Sequence, residues 1–121
     1  MDARHYAIKY PNSRLILFRR TFAELEASLI NEMEQFYTDN DGIFNDGKKE
    51  YNFFNGSKIY FRYLENENDV KRYQGPSYGY IGFDELTHFS RRQFDFMKSR
   101  LRVSADQPTF MRCTSNPDPY N

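Results

Sequence analysis

Two adjacent carboxylates, Asp84 and Glu85, directly follow the apolar segment Tyr80-Ile81-Gly82-Phe83. That segment predicts a buried strand, and the carboxyl ends of such strands are where open α/β sheets bind ligands. Neighbouring side chains on an extended chain point to opposite sides, so the two carboxylates can do different work. Asp84 can hold Mg²⁺ through its waters, and Glu85 can orient a water molecule for attack on a phosphoryl group. An isolated pair of this kind also commonly caps a helix or begins a loop.

Three polar residues, Thr114-Ser115-Asn116, end a second predicted strand that spans residues 109–114. If this strand lies beside the Asp84-Glu85 strand, their side chains can sense a terminal phosphate or hold the attacking water. The alternative is a simple turn, because Ser-Asn-Pro is a turn signal and Pro117 favours an extended backbone at the residue before it.

Several arginines can neutralise the negative charge that develops during phosphoryl transfer. They follow the first predicted strand, precede the Asp84-Glu85 strand, or follow the last predicted helix. The candidates are Arg19, Arg20, Arg72, Arg100 and Arg102. Each of them can equally belong to a solvated basic surface.

The first elements that must position these residues are a strand and a helix. The continuous apolar run Leu15-Ile16-Leu17-Phe18 predicts a strand buried on both faces. Thr21 with Glu24 forms a capping box, so a helix begins there. Its apolar stripe consists of Phe22, Leu25, Leu29, Met33 and Phe36.

A polar loop is predicted over residues 38–49, and a hairpin follows it. Asn55-Gly56 is a strong hairpin signal between the aromatic strands Tyr51 to Phe54 and Lys58 to Tyr63. A short polar helix is expected over residues 65–73. The next strand covers residues 78–83 and leads into Asp84 and Glu85.

A second capping box, Ser90 with Gln93, predicts a helix that runs to about Leu101. Strands that alternate with helices indicate an α/β layered sheet with mainly parallel strands and one inserted hairpin. The far side of this helix and the residues after it carry Arg91, Arg92, Lys98, Arg100 and Arg102 against Asp95, a local excess of four positive charges.

Composition excludes several classes of protein. A chain of 121 residues has room for one domain, and 12 Phe with 10 Tyr imply an aromatic core. The sequence has no apolar run long enough to cross a membrane and no signal-peptide pattern. Seventeen basic and seventeen acidic residues give no overall field for nucleic acid. The lone cysteine, Cys113, excludes an internal disulfide and is expected to be a small core residue.

Taken in order, these segments resemble the ATPase domain of the large terminase subunit of tailed bacteriophages, from about Arg14 to Pro117. The matching segments are Leu15 to Thr21, Asn55 to Phe61, Tyr73-Gln74-Gly75, Tyr80 to Phe89, Ser99 to Arg102 and Thr114 to Pro117. The resemblance implies a partial P-loop NTPase fold of the additional-strand (ASCE) type, a three-layer α/β sheet. It implies that Asp84 is the Walker B magnesium ligand and Glu85 the catalytic glutamate. Thr114-Ser115-Asn116 matches the coupling motif.

The sequence departs from the family pattern in three respects. It contains no Gly-x-x-x-x-Gly-Lys-Ser/Thr phosphate-binding loop, which is expected before residue 14, and it lacks the C-terminal nuclease domain. The expected organisation of residues 1–121 is therefore a single partial ATPase domain. In parts of the family, an arginine before the glycine of Gln74-Gly75 acts on the ATP of the neighbouring subunit. Gln74 occupies that position here, which leaves Arg72 as the candidate.

The resemblance also implies cofactors and partners. The cofactors are ATP and Mg²⁺, and the partners are double-stranded phage DNA, the portal protein and the small terminase subunit. The full protein is expected to form a homo-oligomeric ring in the cytoplasm of the bacterial host, with no membrane contact.

Two other functions fit parts of the sequence. One is a non-enzymatic module that binds nucleic acid or protein through its aromatic residues and the basic segment 91–102. The other is a metal-dependent nuclease that uses Asp84, Glu85 and a further carboxylate, for which the sequence offers no third candidate at a recognisable place.

We expect the isolated chain to show no appreciable ATP hydrolysis, because it lacks the backbone donors and the lysine of a phosphate-binding loop. The measurement is phosphate release by the pure chain with Mg²⁺ and ATP. A measurable rate that Glu85→Gln abolishes would contradict this prediction.

Overall fold

The computed structural model describes residues 3–27, 41–64, 66–73, 77–83, 89–103 and 107–113. Helix α1 spans Ala3–Lys9, and a second helix, α2, is described over residues 22–27. A 3₁₀ helix spans Glu67–Tyr73, and helix α3 spans Arg91–Lys98. The strands are β1 (Arg14–Arg19), β2 (Gly42–Asn45), β3 (Glu50–Phe53), β4 (Lys58–Tyr63), β5 (Tyr80–Phe83) and β6 (Phe110–Cys113).

The six strands form one sheet in the order β2-β3-β4-β1-β5-β6. Strands β4, β1, β5 and β6 run parallel to one another. Strands β2 and β3 are antiparallel and extend the sheet beyond β4. The predicted α/β class, with mainly parallel strands and an inserted hairpin, is confirmed.

Strand β1 lies in the middle of the parallel part of the sheet. Leu15, Ile16 and Phe18 are almost fully buried, because β1 has a strand on each side and apolar side chains above and below. Its apolar run therefore meets the condition for a strand buried on both faces.

The hairpin between β3 and β4 turns through Phe54, Asn55 and Gly56. Phe53 N–H donates to the Ser57 carbonyl at 2.9 Å, and Gly56 N–H donates to the Phe53 carbonyl at 3.1 Å. Gly56 has φ of 91°, a conformation that glycine adopts without the steric cost of a Cβ. The predicted Asn-Gly hairpin is thus confirmed as a three-residue turn.

Two aromatic clusters cover the two faces of the sheet and make three layers. On one face, α1 and α2 contribute Tyr6 and Leu25 to a cluster with Tyr51, Phe61 and Tyr80. On the other face, α3 contributes Met97; the further buried members of that cluster are Ile16, Phe18, Leu64, Tyr78, Ile81, Phe83 and Phe89. The aromatic core predicted from composition is therefore divided between the two sides of the sheet.

A buried hydrogen-bond network joins α1 to the amino-terminal edge of the sheet, the edge where β1, β4, β5 and β6 begin. The fully buried Ser57 hydroxyl donates toward the Ala7 and Tyr10 carbonyls at 2.9 Å and accepts from Ser13 N–H at 3.1 Å. The Tyr6 hydroxyl donates to the Pro108 carbonyl at 2.8 Å and thereby reaches the segment that leads into β6.

The structure corrects three sequence-based predictions and adds one helix that was not predicted. Residues 42–45 of the predicted loop form β2, because alternate residues of this segment pack inward against β3. Helix α1 was missed, although its buried Ala3, Tyr6 and Ala7 have helical spacing. Helix α3 ends at Lys98 rather than near Leu101, because Leu101 forms a parallel bridge with Tyr78. Cys113 is exposed rather than part of the core, since β6 is an edge strand.

Replacing Ser57 with alanine should destabilise the protein by about 1–3 kcal/mol, because the buried Ser13 N–H loses its acceptor. The measurement is the free energy of unfolding by denaturant titration. Ser77→Ala is the control: Ser77 is exposed, so its loss should stay within about 0.5 kcal/mol. Equal effects of the two substitutions would contradict the role assigned to the network.

Candidate functional site

The carboxyl ends of the four parallel strands meet at one edge of the sheet, which we call the carboxyl edge. Phe83, the last residue of β5, is in register with Phe18 of β1 on one side and with Cys113, the last residue of β6, on the other. The chain continues from Phe83 into Asp84 and from Cys113 into Thr114. The predicted juxtaposition of the two strands that precede the candidate residues is therefore present.

The candidate residues that follow these strands lie outside the described part of the chain. They are Asp84, Glu85, Thr114, Ser115 and Asn116. Their assignment to magnesium binding, water activation and coupling stays a prediction. The apolar stripe residues Leu29, Met33 and Phe36, together with Gln74, also lie outside the described residues.

Aromatic side chains pack around the end of β5. The ring of Phe83 stacks on Phe18 with centroids 5.3 Å apart and contacts Phe89 and Phe94 at 5.1 and 5.7 Å. Phe89 and Phe94 flank the Ser90 cap of α3, so the start of the helix is fixed to the end of the strand. The end of β5, which the sequence continues into Asp84, is therefore packed within an aromatic cluster.

Arg19 and Arg20 lie at the same edge, at the end of β1. Arg19 is in register with Tyr63, and its carbonyl accepts from Leu64 N–H at 3.1 Å. The Arg20 guanidinium donates from Nη1 to the Leu64 carbonyl at 2.7 Å. This bond fixes the direction of one arginine at the carboxyl edge, where a cation can face an anionic ligand.

Arg72 lies in the 3₁₀ helix that follows β4. Its side chain is 68% exposed, and Nη2 lies 3.8 Å from Oδ1 of Asp69. Asp69 also accepts from Asn66 N–H through Oδ2, and the Asn66 carbonyl accepts from Gln93 Nε2 at 3.1 Å. These bonds connect the 3₁₀ helix to α3. Gln93, predicted only as a capping residue, thus has a second role.

The remaining candidates, Arg100 and Arg102, lie away from this edge. Their backbones bond to Tyr78, with Tyr78 N–H donating to Arg100 O and Arg102 N–H donating to Tyr78 O, both at 2.8 Å. Tyr78 precedes β5, and five residues of extended chain to Phe83 span about 17 Å. The structure therefore does not bring Arg100 and Arg102 together with Arg19 and Arg20.

Within the described ranges, no three His, Cys, Asp or Glu side chains lie close enough to hold a metal ion. In the same ranges, no helix is long and apolar enough to cross a membrane.

Tyr73 ends the 3₁₀ helix and packs edge-on against Phe18 with centroids 5.3 Å apart. Burial raises the pKa of Tyr73 to about 12, with Arg62 acting in the opposite direction. The neutral phenol is therefore part of the packing beside the carboxyl edge. Its position was visible in the sequence only as part of Tyr73-Gln74-Gly75.

The fold of this chain, a mainly parallel sheet with helices on both faces, matches solved structures of a phage large terminase. A crystal structure of the large terminase from a thermophilic bacteriophage matches 91% of this chain with a TM-score of 0.68 and 16% identity. Another crystal form of that terminase, in complex with ADP, matches 88% of the chain with a TM-score of 0.64 and 15% identity. The matched regions are 28% and 26% of those chains, so this chain spans less than a third of their length.

The family model for the N-terminal part of the T4likevirus-type large terminase subunit matches residues 1–121. The chain belongs to this family. No curated protein matches it in sequence.

Replacing Tyr73 with phenylalanine should make the free energy of unfolding fall less steeply as the pH rises in the alkaline range. A folded-state pKa above the ordinary value of 10 favours the neutral phenol, so this stabilisation is complete below pH 10 and is lost as the pH rises toward about 12. The measurement is the free energy of unfolding of both proteins at several pH values across that interval. An equally steep loss in the variant would contradict the assignment.

Proposed function

We propose that this chain is part of the ATP-hydrolysing motor with which a phage large terminase packages double-stranded DNA into procapsids. The reaction is transfer of the γ-phosphoryl group of ATP to water. The proposed catalytic carboxylates, Asp84 and Glu85, follow β5 in the sequence, and the proposed coupling residues follow β6.

The observation that carries this proposal is the register at the carboxyl edge. Phe18, Phe83 and Cys113 are aligned across three neighbouring parallel strands. A sheet edge of this kind is where open α/β proteins bind ligands. The family match and the ADP complex of the thermophilic phage terminase support a nucleotide as the ligand.

In this proposal, Glu85 orients the attacking water and Asp84 holds Mg²⁺, whose preferred ligands are the oxygen atoms that an aspartate supplies. The bound ion would neutralise charge on the phosphate oxygens. Thr114, Ser115 and Asn116 would sense the terminal phosphate and transmit its loss to movement of the DNA.

Arg19 and Arg20 are the arginines best placed to face the phosphates, because they end β1 beside β5. The bond from Arg20 to the Leu64 carbonyl orders that guanidinium before any ligand binds, which reduces the entropy lost on binding. Arg72 is 68% exposed at the surface of the 3₁₀ helix and is therefore accessible to the ATP of a neighbouring subunit.

The phosphate-binding loop must come from a segment outside these 121 residues, because the sequence contains no such motif. We therefore assign residues 1–121 to a single partial ATPase domain. The ring of subunits, the portal protein and the small terminase subunit are the partners that the full motor requires, and the bacterial cytoplasm is where it works.

The test is MgATP hydrolysis by a polypeptide in which this chain is joined to a segment with a phosphate-binding loop. Glu85→Gln should lower the rate by a factor of about 100 or more, because the attacking water loses its orienting group. Asp84→Asn should raise the Mg²⁺ concentration needed for half-maximal rate.

Glu24→Gln is the matched control, since Glu24 is an exposed carboxylate on α2. It should leave the rate unchanged. A rate that is insensitive to Glu85→Gln, or equally sensitive to Glu24→Gln, would overturn the proposal.

A further inference from the structure

We infer that Gln93 is a positioning residue: it ties the 3₁₀ helix that carries Arg72 to the start of α3 and thereby fixes the backbone of Arg72 relative to the carboxyl edge. The consequence for hydrolysis rests on the proposed function, because it requires that Arg72 acts on the ATP of a neighbouring subunit. The tie itself is argued from the contacts of the two helices.

The Gln93 side chain is almost fully buried and uses both ends of its amide. Its Oε1 accepts from Ser90 N–H at 3.0 Å, and Gln93 N–H donates to Ser90 Oγ at 3.1 Å, which completes the capping box of α3. Its Nε2 donates to the Asn66 carbonyl at 3.1 Å. A capping box needs only the acceptor, which glutamate also supplies. The bond to Asn66 is therefore the contact that requires glutamine at this position.

Asn66 begins a second reciprocal turn, at the start of the 3₁₀ helix. Asp69 N–H donates to the Asn66 carbonyl at 3.0 Å, and Asp69 Oδ2 accepts from Asn66 N–H at 2.9 Å. The Asn66 carbonyl thus accepts from both Asp69 and Gln93. Asp69 is buried, and its Oδ1 lies 3.8 Å from Nη2 of Arg72. A continuous series of contacts therefore leads from the cap of α3 to Arg72.

Both helices are also packed against the end of the same strand. Tyr73, the last residue of the 3₁₀ helix, packs edge-on against Phe18, and Phe18 stacks on Phe83 at the end of β5, each pair with centroids 5.3 Å apart. Phe89, just before α3, contacts Phe83 at 5.1 Å. The Gln93 bond joins the two helices above this packing, so the 3₁₀ helix is held at both of its ends.

The Arg72 guanidinium is exposed although its backbone is held. Its side chain is 68% exposed, and the 3.8 Å separation from Asp69 is longer than a hydrogen bond. Exposed ion pairs of this kind contribute little to stability, whereas pairs of arginine with phosphate are among the stronger charge-assisted contacts. A phosphate on another molecule can therefore replace Asp69 as the partner of Arg72.

The first test is amide hydrogen exchange of the chain and its Gln93→Glu variant without nucleotide, at about pH 8, where a carboxylate is ionised. The substitution keeps the acceptor for Ser90 N–H but turns a carboxylate oxygen toward the Asn66 carbonyl, which repels it. Exchange over residues 66–73 should become about five to ten times faster, the change that corresponds to one lost hydrogen bond. Exchange over residues 94–98 of α3 should stay the same, because the capping box remains.

Gln107→Glu is the matched control. Gln107 Nε2 also donates to buried partners, the Tyr6 and Ser13 hydroxyl oxygens, both at 2.8 Å, but it lies at the amino-terminal edge of the sheet. The same substitution there should leave exchange over residues 66–73 unchanged. The inference is overturned by an equal acceleration in both variants, by no acceleration in Gln93→Glu, or by an equal acceleration in α3.

If Gln93→Glu does not fold, as judged by circular dichroism, Gln93→Met takes its place. This substitution removes the donor to the Asn66 carbonyl without adding a charge, and the bond from the backbone N–H of residue 93 to Ser90 Oγ remains. The expected acceleration over residues 66–73 and the results that would overturn the inference are the same.

The second test is MgATP hydrolysis by the joined polypeptide of the preceding section. Gln93→Glu should lower kcat by about tenfold to a hundredfold and leave KM for ATP unchanged, since a displacement of about 1 Å can cost about a hundredfold in rate. In an Arg72→Ala background, the same substitution should cause no further loss, because Gln93 acts through Arg72. Fully additive losses would overturn the inference.

The exchange measurement requires no hydrolysis, so the two proposals fail in different ways. A rate that is insensitive to Glu85→Gln overturns the proposed function and leaves the exchange result intact. Unchanged exchange in Gln93→Glu overturns the positioning role at any rate of hydrolysis.

Discussion

The parallel pairing of β1 with both β4 and β5 is the interaction on which the rest of the structure depends. It buries Leu15, Ile16 and Phe18 on the two faces of the sheet, and each such side chain contributes about 1.5–3 kcal/mol when fully buried. Because the three strands are parallel, their amino-terminal ends lie at one edge of the sheet and their carboxyl ends lie at the other. One edge receives Arg19 and the chain that leads to Asp84, and the other begins with Arg14 and Lys58.

The two edges of the sheet are supported by different contacts. The carboxyl edge is supported by the aromatic cluster around Phe83, and the candidate residues for ATP hydrolysis follow β5 and β6 in the sequence. The amino-terminal edge is fixed by the Ser57 network and presents the exposed side chains of Arg14 and Lys58 to solvent. Helix α3 joins the two, since Phe89 before it packs at one edge and Leu101 after it bridges to Tyr78 at the other. A shift of α3 would therefore change contacts at both edges.

Much of this architecture was predictable, because local chemistry and tertiary structure agree. Three features were predictable from a few neighbouring residues each: the strand Leu15 to Phe18, the Asn55-Gly56 turn and the Ser90-Gln93 capping box. The predicted strand before Asp84 and Glu85 is also present. Their roles, in contrast, were inferred from the family resemblance and stay predictions.

The missed features depend on contacts between distant segments. Strand β2 is specified by its pairing with β3. The two strands approach so closely that a Cβ at Gly42 would collide with the Asn52 carbonyl oxygen. The pairing of Arg14 with Lys58 is absent from any local pattern, because only the register of β1 with β4 brings the two residues together. The basic segment 91–102 appeared as one surface in the sequence, and the structure separates its arginines between the two ends of α3.

The central position of β1 also constrains how the protein folds during synthesis. Its two neighbours, β4 and β5, begin at residues 58 and 80, so β1 leaves the ribosome before either of the strands with which it pairs. The bond from Tyr6 to the Pro108 carbonyl joins residues 102 positions apart. Contacts of such long sequence separation slow folding, because the chain must close large loops before it gains the pairing energy. At about 5–20 residues per second, β1 stays without its full set of partners for several seconds, an interval in which a chaperone can bind it.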